Sequence, residues 1–340
     1  MVSRLIIALA GAAALLGGCA AAPRTPATTL SQAGIKASNA FATDVRTLST
    51  QLAYVNAADA FSTTYDWCTN RPTCMPRNAD PEVAAKRVKL ADTIAARARA
   101  LDALSAAYSA LGQEAAANGS ADLEGAARRL VTGVNGYVAS VSELTGNPIA
   151  SAISAPVGEV VAGIAAEIGE RRQRQRLLAG SRAIAASVQT LRNGLAAEAA
   201  VFDSLSGYII EHRTAARLAM VQAGLVSRTP TFTAFAQNMG VTPAPGAEGI
   251  ISSSKPVQAA LDATMKANAQ ADVIAMQQRY RTSLEALDAL LAGHRELEQT
   301  RSVSLAGIER IIARLENVVD AANADDGAPG GGSNPPPPRP

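Results

Sequence analysis

Apolar residues recur along most of this chain in steps of three and four, the spacing that lays side chains on one stripe of an α-helix. The first stripe is Phe41, Val45, Leu48, Leu52 and Val55, continuing toward Phe61 and Tyr65. Thr29-Leu30-Ser31-Gln32 precedes it with the form of a capping box, so the first helix is expected to begin there. Asp80-Pro81-Glu82 marks a second start, with Pro in the first helical position and an acid where the helix dipole favours one. Leu90, Ile94, Leu101, Leu104, Tyr108 and Leu111 form its buried face. Asn118-Gly119-Ser120 is expected to stop that helix and cap a third. The third stripe, Leu123, Ala127, Leu130, Val134, Tyr137, Val141 and Leu144, ends at Gly146-Asn147-Pro148.

From Pro156 to about Val226 only Gly180-Ser181 invites a break. Ile184, Val188, Leu191, Leu195, Glu198, Phe202, Leu205, Ile209, His212, Ala216 and Ala219 keep a seven-residue repeat, the pattern of a coiled-coil seam. Ser227 to Lys255, rich in Pro and Gly, reads as a loop pinned by Phe232 and Phe235. A last helix is expected from near Pro256 toward Ala322, with Leu290, His294, Leu297, Arg301, Ser304, Ile308, Ile311, Leu315 and Val318 on its stripe. No stretch alternates as a strand would. The pattern predicts an all-α fold, an elongated antiparallel helical bundle of about five long coiled-coil-like helices over residues 29–323. Residues 324–340 form a Gly/Pro-rich tail that cannot bury a core. It is expected to be disordered and to act as a spacer, with Pro335 to Pro338 favouring polyproline II.

The amino-terminal 18 residues follow a different logic. One positive charge, Arg4, precedes an apolar run from Leu5 to Leu16 that is too short to span a bilayer and reads as a signal peptide. Leu16-Gly17-Gly18-Cys19 resembles the lipobox of bacterial lipoproteins, in which an aliphatic residue sits three positions before an obligatory cysteine. The resemblance implies cleavage before Cys19, lipid on its thiol and acylation of the new amino terminus. With Ala rather than Asp at position 20, it also implies the outer membrane, on the periplasmic side. Residues 19–28, with Pro23 and Pro26, would then be a tether with a reach on the order of 30 Å.

Loss of the signal removes Arg4 from 31 basic residues and leaves 30 against 29 acidic ones. Near neutrality argues against nucleic acid as a partner, because that binding rests on a basic surface. Aromatics are 4% of residues, which suits close helix packing more than a β-sandwich. In an oxidising compartment Cys68 and Cys74, with five residues between them in a loop with Pro72 and Pro76, read as a disulfide contributing roughly 2 kcal/mol.

Chemistry is sparse. The two histidines, His212 and His294, lie on the stripes of different helices. Packed antiparallel they could meet and, with Glu198 or Glu211, hold a metal; the plainer expectation is a polar seam residue that sets register. No Gly-x-Ser-x-Gly, His-Glu-x-x-His or phosphate loop occurs, so neither enzyme activity nor cofactor or metal binding is expected. Residues 148–168 are apolar and followed by Arg171, Arg172, Arg174 and Arg176. They invite a membrane-active reading, loosely like helical pore-forming toxins, but Glu159, Glu167 and Pro156 favour a packed hairpin turn. The function expected is a lipid-anchored cell-envelope scaffold or adaptor that meets a protein partner, or a second copy, through its helical faces.

Overall fold

The computed structural model describes residues 24–69, 71, 74, 81–116, 122–149 and 170–298. These form five long helices, α1 (Arg24–Thr69), α2 (Pro81–Ala116), α3 (Leu123–Thr145), α4 (Glu170–Gln222) and α7 (Lys255–Glu298). Two short ones, α5 (Thr229–Asn238) and α6 (Ala247–Ser253), lie between α4 and α7. No strand occurs among the described residues, and the fold is an all-α bundle. The signal segment with Cys19, residues 150–168, the end of the last stripe and the tail 324–340 lie outside the described residues.

The seven-residue repeat of α4 translates directly into burial. Every member from Ile184 to Ala219 is buried except His212, which is half-buried. Phe41 to Val55 on α1 and Ile94 to Leu111 on α2 are likewise buried. On α1 the burial leaves the aromatic positions after Val55: Phe61 is exposed while Ser62, a heptad on from Val55, is buried.

Several boundaries differ from expectation. Helix α1 starts at Arg24, so the expected tether is already helical over its last five residues. Pro26 sits in the first turn, where its missing N–H would have no intrahelical acceptor, and Ala27 and Leu30 are buried beyond it. The cap of α3 is Asp122 rather than Ser120; its Oδ1 accepts from the Gly125 amide at 2.9 Å. Gly180-Ser181 does not interrupt α4. The expected loop 227–255 holds α5 and α6, because Pro230 lies in the first turn of a helix, where its missing N–H has no intrahelical acceptor, and so does not break it. Thr231, Ala236 and Ile251 anchor it, whereas Phe235 is exposed.

The chain divides into two compact units. Unit 1 draws on Met1–Arg46, Val88–Ala199 and Thr282–Glu316. Within it α1 and α2 run antiparallel, with Ser31 Oγ donating to the Tyr108 carbonyl at 2.6 Å and Arg46 meeting Asp102 at 3.0 Å. Arg192 and Asp288 tie α4 to an antiparallel α7 at 2.8 Å. Helices α3 and α4 are parallel, for Gly180 faces Leu123 and Gly194 faces Tyr137. The hairpin turn expected at residues 148–168 lies almost wholly outside the described residues. Unit 2 draws on Thr47–Arg87, Ala200–Arg281 and Asn317–Pro340. There Phe202 of α4 stacks on Tyr280 of α7 with centroids 4.2 Å apart, and Arg228 forks onto Asp262 at 2.8 and 3.1 Å.

Close approach in unit 1 depends on missing side chains. A methyl at Gly34 would lie 2.3 Å from Tyr108 Cγ, and one at Gly194 would lie 2.8 Å from the Tyr137 ring. Gly34→Ala is therefore expected to destabilise by about 1–3 kcal/mol, because a buried ring must move. Gly207→Ala, with nothing within 4 Å, is expected to stabilise by about 0.5–1 kcal/mol through helix propensity. Chemical denaturation of the two variants checks the opposite signs.

Candidate functional site

Polar side chains gather at three places, each at seam positions of the helices. In unit 1, His294 of α7 is fully buried between Ser181 of α4 and Tyr108 of α2, both also fully buried. Ser181 Oγ lies 2.7 Å from Nδ1 and Tyr108 Oη 2.9 Å from Nε2. A neutral imidazole has one donor and one acceptor nitrogen, so the two hydroxyls satisfy both. Burial lowers the His294 pKa to about 3 and raises that of Tyr108 well above its usual value. A serine beside a histidine is the start of a nucleophile–base pair. With all three groups at 0% exposure no substrate reaches it, and the arrangement works as a polar layer of the core.

The second centre joins Arg97 of α2, Tyr137 of α3 and Glu198 of α4. Arg97 Nη1 lies 3.5 and 3.4 Å from the two Glu198 oxygens, and Tyr137 donates its hydroxyl to Oε2. Arg97 and Glu198 are both buried. Toward the carboxyl-terminal end of α2, Glu114, fully buried, meets Arg176 Nη2 at 3.2 Å, and Gln173 donates to the Glu114 carbonyl at 2.7 Å. Burial raises the Glu114 pKa, with Arg176 opposing. Arg176 is thus committed to the core, while Arg174 in the same basic run is exposed.

The third centre lies in unit 2 and is partly open to solvent. Asp59 of α1 accepts from Arg87 of α2 and lies 3.1 Å from His212 Nδ1 of α4, while Arg87 also donates to the Tyr208 hydroxyl. The Tyr208 and His212 rings sit 4.2 Å apart. His212 keeps 28% of its side-chain exposure, enough for solvent to reach the His–Asp pair. Burial and the Asp59 charge raise the Tyr208 pKa, so the phenol stays protonated. Burial works against the Arg87 charge, yet the hydrogen bond to Asp59 and the nearby Tyr208 and Asp59 outweigh it and raise its pKa. The cluster clasps three helices, and the Thr63 hydroxyl also donates to Asp59 Oδ1 at 3.4 Å.

The metal arrangement considered for His212, His294, Glu198 and Glu211 is not assembled. His294 is held by Ser181 and Tyr108, Glu198 by Arg97 and Tyr137, and His212 by Asp59, while Glu211 is exposed. Among the described residues no group of three or more His, Cys, Asp or Glu could hold a metal ion. Cys68 and Cys74 are paired, with Cα atoms 5.0 Å apart.

Arg97, Asp59 and Ser181 were missed in the sequence, although the rhythm marks each. Arg97 fits between Ile94 and Leu101, Asp59 between Val55 and Ser62, and Ser181 before Ile184, all in steps of three and four. A shallow groove of about 420 Å³ also lies between α2 and α3, floored by Ala96, Ala103 and Gly133 and rimmed by Arg99, Arg128 and Arg129. No protein-family model, no curated protein and no solved structure matches the chain.

The buried histidine makes stability depend on pH. Its folded pKa is depressed to about 3, so the unfolded chain binds a proton below about 6.5 that the fold refuses. Stability is whole above 6.5 and falls as pH drops from there toward 3. Between pH 7 and pH 5 the wild type is expected to lose about 2 kcal/mol more than His294→Gln. Urea denaturation at both pH values measures the difference.

Proposed function

We propose that this chain is a lipid-anchored scaffold or adaptor of the bacterial cell envelope, acting through helix–helix interactions rather than by catalysis. The observation that carries the reading is the α2–α3 groove of unit 1. Its Ala and Gly floor lets another helix backbone come close, as in ridge-and-groove packing, and on its rim Arg99 stands beside Arg128 and Arg129, which pair with Glu124 and Asp122. The lipobox-like Leu16 to Cys19 supports the anchor, and the outer membrane with a periplasmic orientation is the proposed address. Closed polar layers support a binding role over an enzymatic one, since His294 and Glu198 spend their chemistry inside the bundle.

Fatty-acid labelling together with photo-crosslinking from Thr132, at the groove, tests both halves in growing cells. Wild type is expected to take up label and to give one discrete adduct. Cys19→Ser should lose the label, and Gly136→Leu, which fills the groove from a position with nothing within 4 Å, should lose the adduct. A labelled Cys19→Ser protein contradicts the anchor; a groove that yields no adduct contradicts the adaptor.

A further inference from the structure

Residues 218–254 of unit 2 carry only two charges, Arg228 and Glu248, and the first is neutralised by its fork onto Asp262. The same stretch holds a concentration of exposed large apolar side chains. Leu225, Met239, Ile250 and Val241 are 68%, 64%, 60% and 58% exposed, and Phe235 is 43% exposed. Scattered exposed apolar residues are ordinary, but a run of them in one uncharged segment marks a contact surface.

The backbone presents these residues outward. Helix α4 ends with Leu225 N donating to the Met220 carbonyl and Gly224 at φ 73°. Helix α5 ends the same way, with Val241 N on the Ala236 carbonyl and Gly240 at φ 67°. In this type of helix stop the apolar residue after the glycine usually packs back on the last turn. Here Leu225 and Val241 both stay exposed instead. The platform below them is held by Arg228 on Asp262, by Arg217 donating to Thr231 Oγ1 at 3.1 Å, and by the buried Ala236 and Ile251.

We propose that this tip, residues 222–254, seats in the interfacial layer of a lipid bilayer that carries anionic headgroups. The choice of occupant follows from charge. Arg213, Arg217 and Lys255 are exposed at its borders against Glu211 and Glu248, so the uncharged apolar tip is flanked by an excess of cations. Apolar side chains that enter the headgroup boundary beneath cations that meet lipid phosphates are the two elements of interfacial binding. The tip is a different stretch of sequence from residues 148–168 and does not depend on the anchor at Cys19.

Flotation of the chain from residue 19 onward, carrying Cys19→Ser so that no acyl chain contributes, tests the proposal. The probes are vesicles of phosphatidylethanolamine with phosphatidylglycerol and vesicles of phosphatidylcholine alone. Binding is expected to the first, to weaken with salt, and to be much lower on the second. Leu225→Ser/Met239→Ser/Ile250→Ser, at exposed positions that leave the helical circular dichroism unchanged, should weaken it roughly tenfold or more. Ile274→Ser, exposed but outside the tip, should leave it unchanged. Equal binding by the triple variant, equal binding to phosphatidylcholine, or no binding at all overturns the proposal. So does a vesicle-free dimer that the triple variant abolishes without any lipid binding, which would assign the patch to a second copy.

Discussion

Glu198 carries a carboxyl group into the buried core where α4 leaves unit 1, and three helices of that unit are held in place by the need to keep it partnered. Leaving a buried charge without a partner costs about 3–5 kcal/mol, a large share of what a domain has to spare. Arg97 and Tyr137 meet it from two other helices. A slide of α2, α3 or α4 by one turn would move a partner by about 5.4 Å and break the arrangement. The apolar seam alone tolerates such slides better, because Ala, Leu and Val positions repeat along it. Polar seam residues therefore contribute register more than net stability.

The same principle recurs with different chemistry. His294 stays neutral and takes hydroxyls from Ser181 and Tyr108, whereas Asp59 in unit 2 takes Arg87 and His212 and remains partly wet. Small residues make these meetings possible. Gly34 lets the Tyr108 ring lie against α1, and Gly194 lets Tyr137 reach across to α4 and hence to Glu198. Loss of either glycine would act on the polar layers through the rings that serve them.

The stripes of α2, α3 and α4 were legible because burial follows the three-four rhythm almost residue by residue from Leu123 to Val141 and from Ile184 to Ala219. The Cys68–Cys74 pairing was legible from spacing and surroundings. Helix ends are less legible where Pro26 and Pro230 sit in the first turn of a helix, because the same residue also marks a loop. The parallel α3–α4 pair could not be read at all, since a stripe shows which face is buried and not which neighbour buries it. The polar centres were half legible. Glu198, His212 and His294 stood out on their stripes, but their partners lie more than 50 residues away in sequence and were set by packing between helices.

The central claim, that buried polar pairs fix the register of this bundle, is tested most directly by a double-mutant cycle on Arg97 and Glu198. Arg97→Met, Glu198→Gln and the double variant would be compared with wild type by urea denaturation. The account predicts that Arg97→Met alone costs about 3–5 kcal/mol and that the double variant recovers much of it. The coupling energy is then about 2–3 kcal/mol. Additive effects, with coupling near zero, would contradict it and leave the apolar seam as the sole source of register.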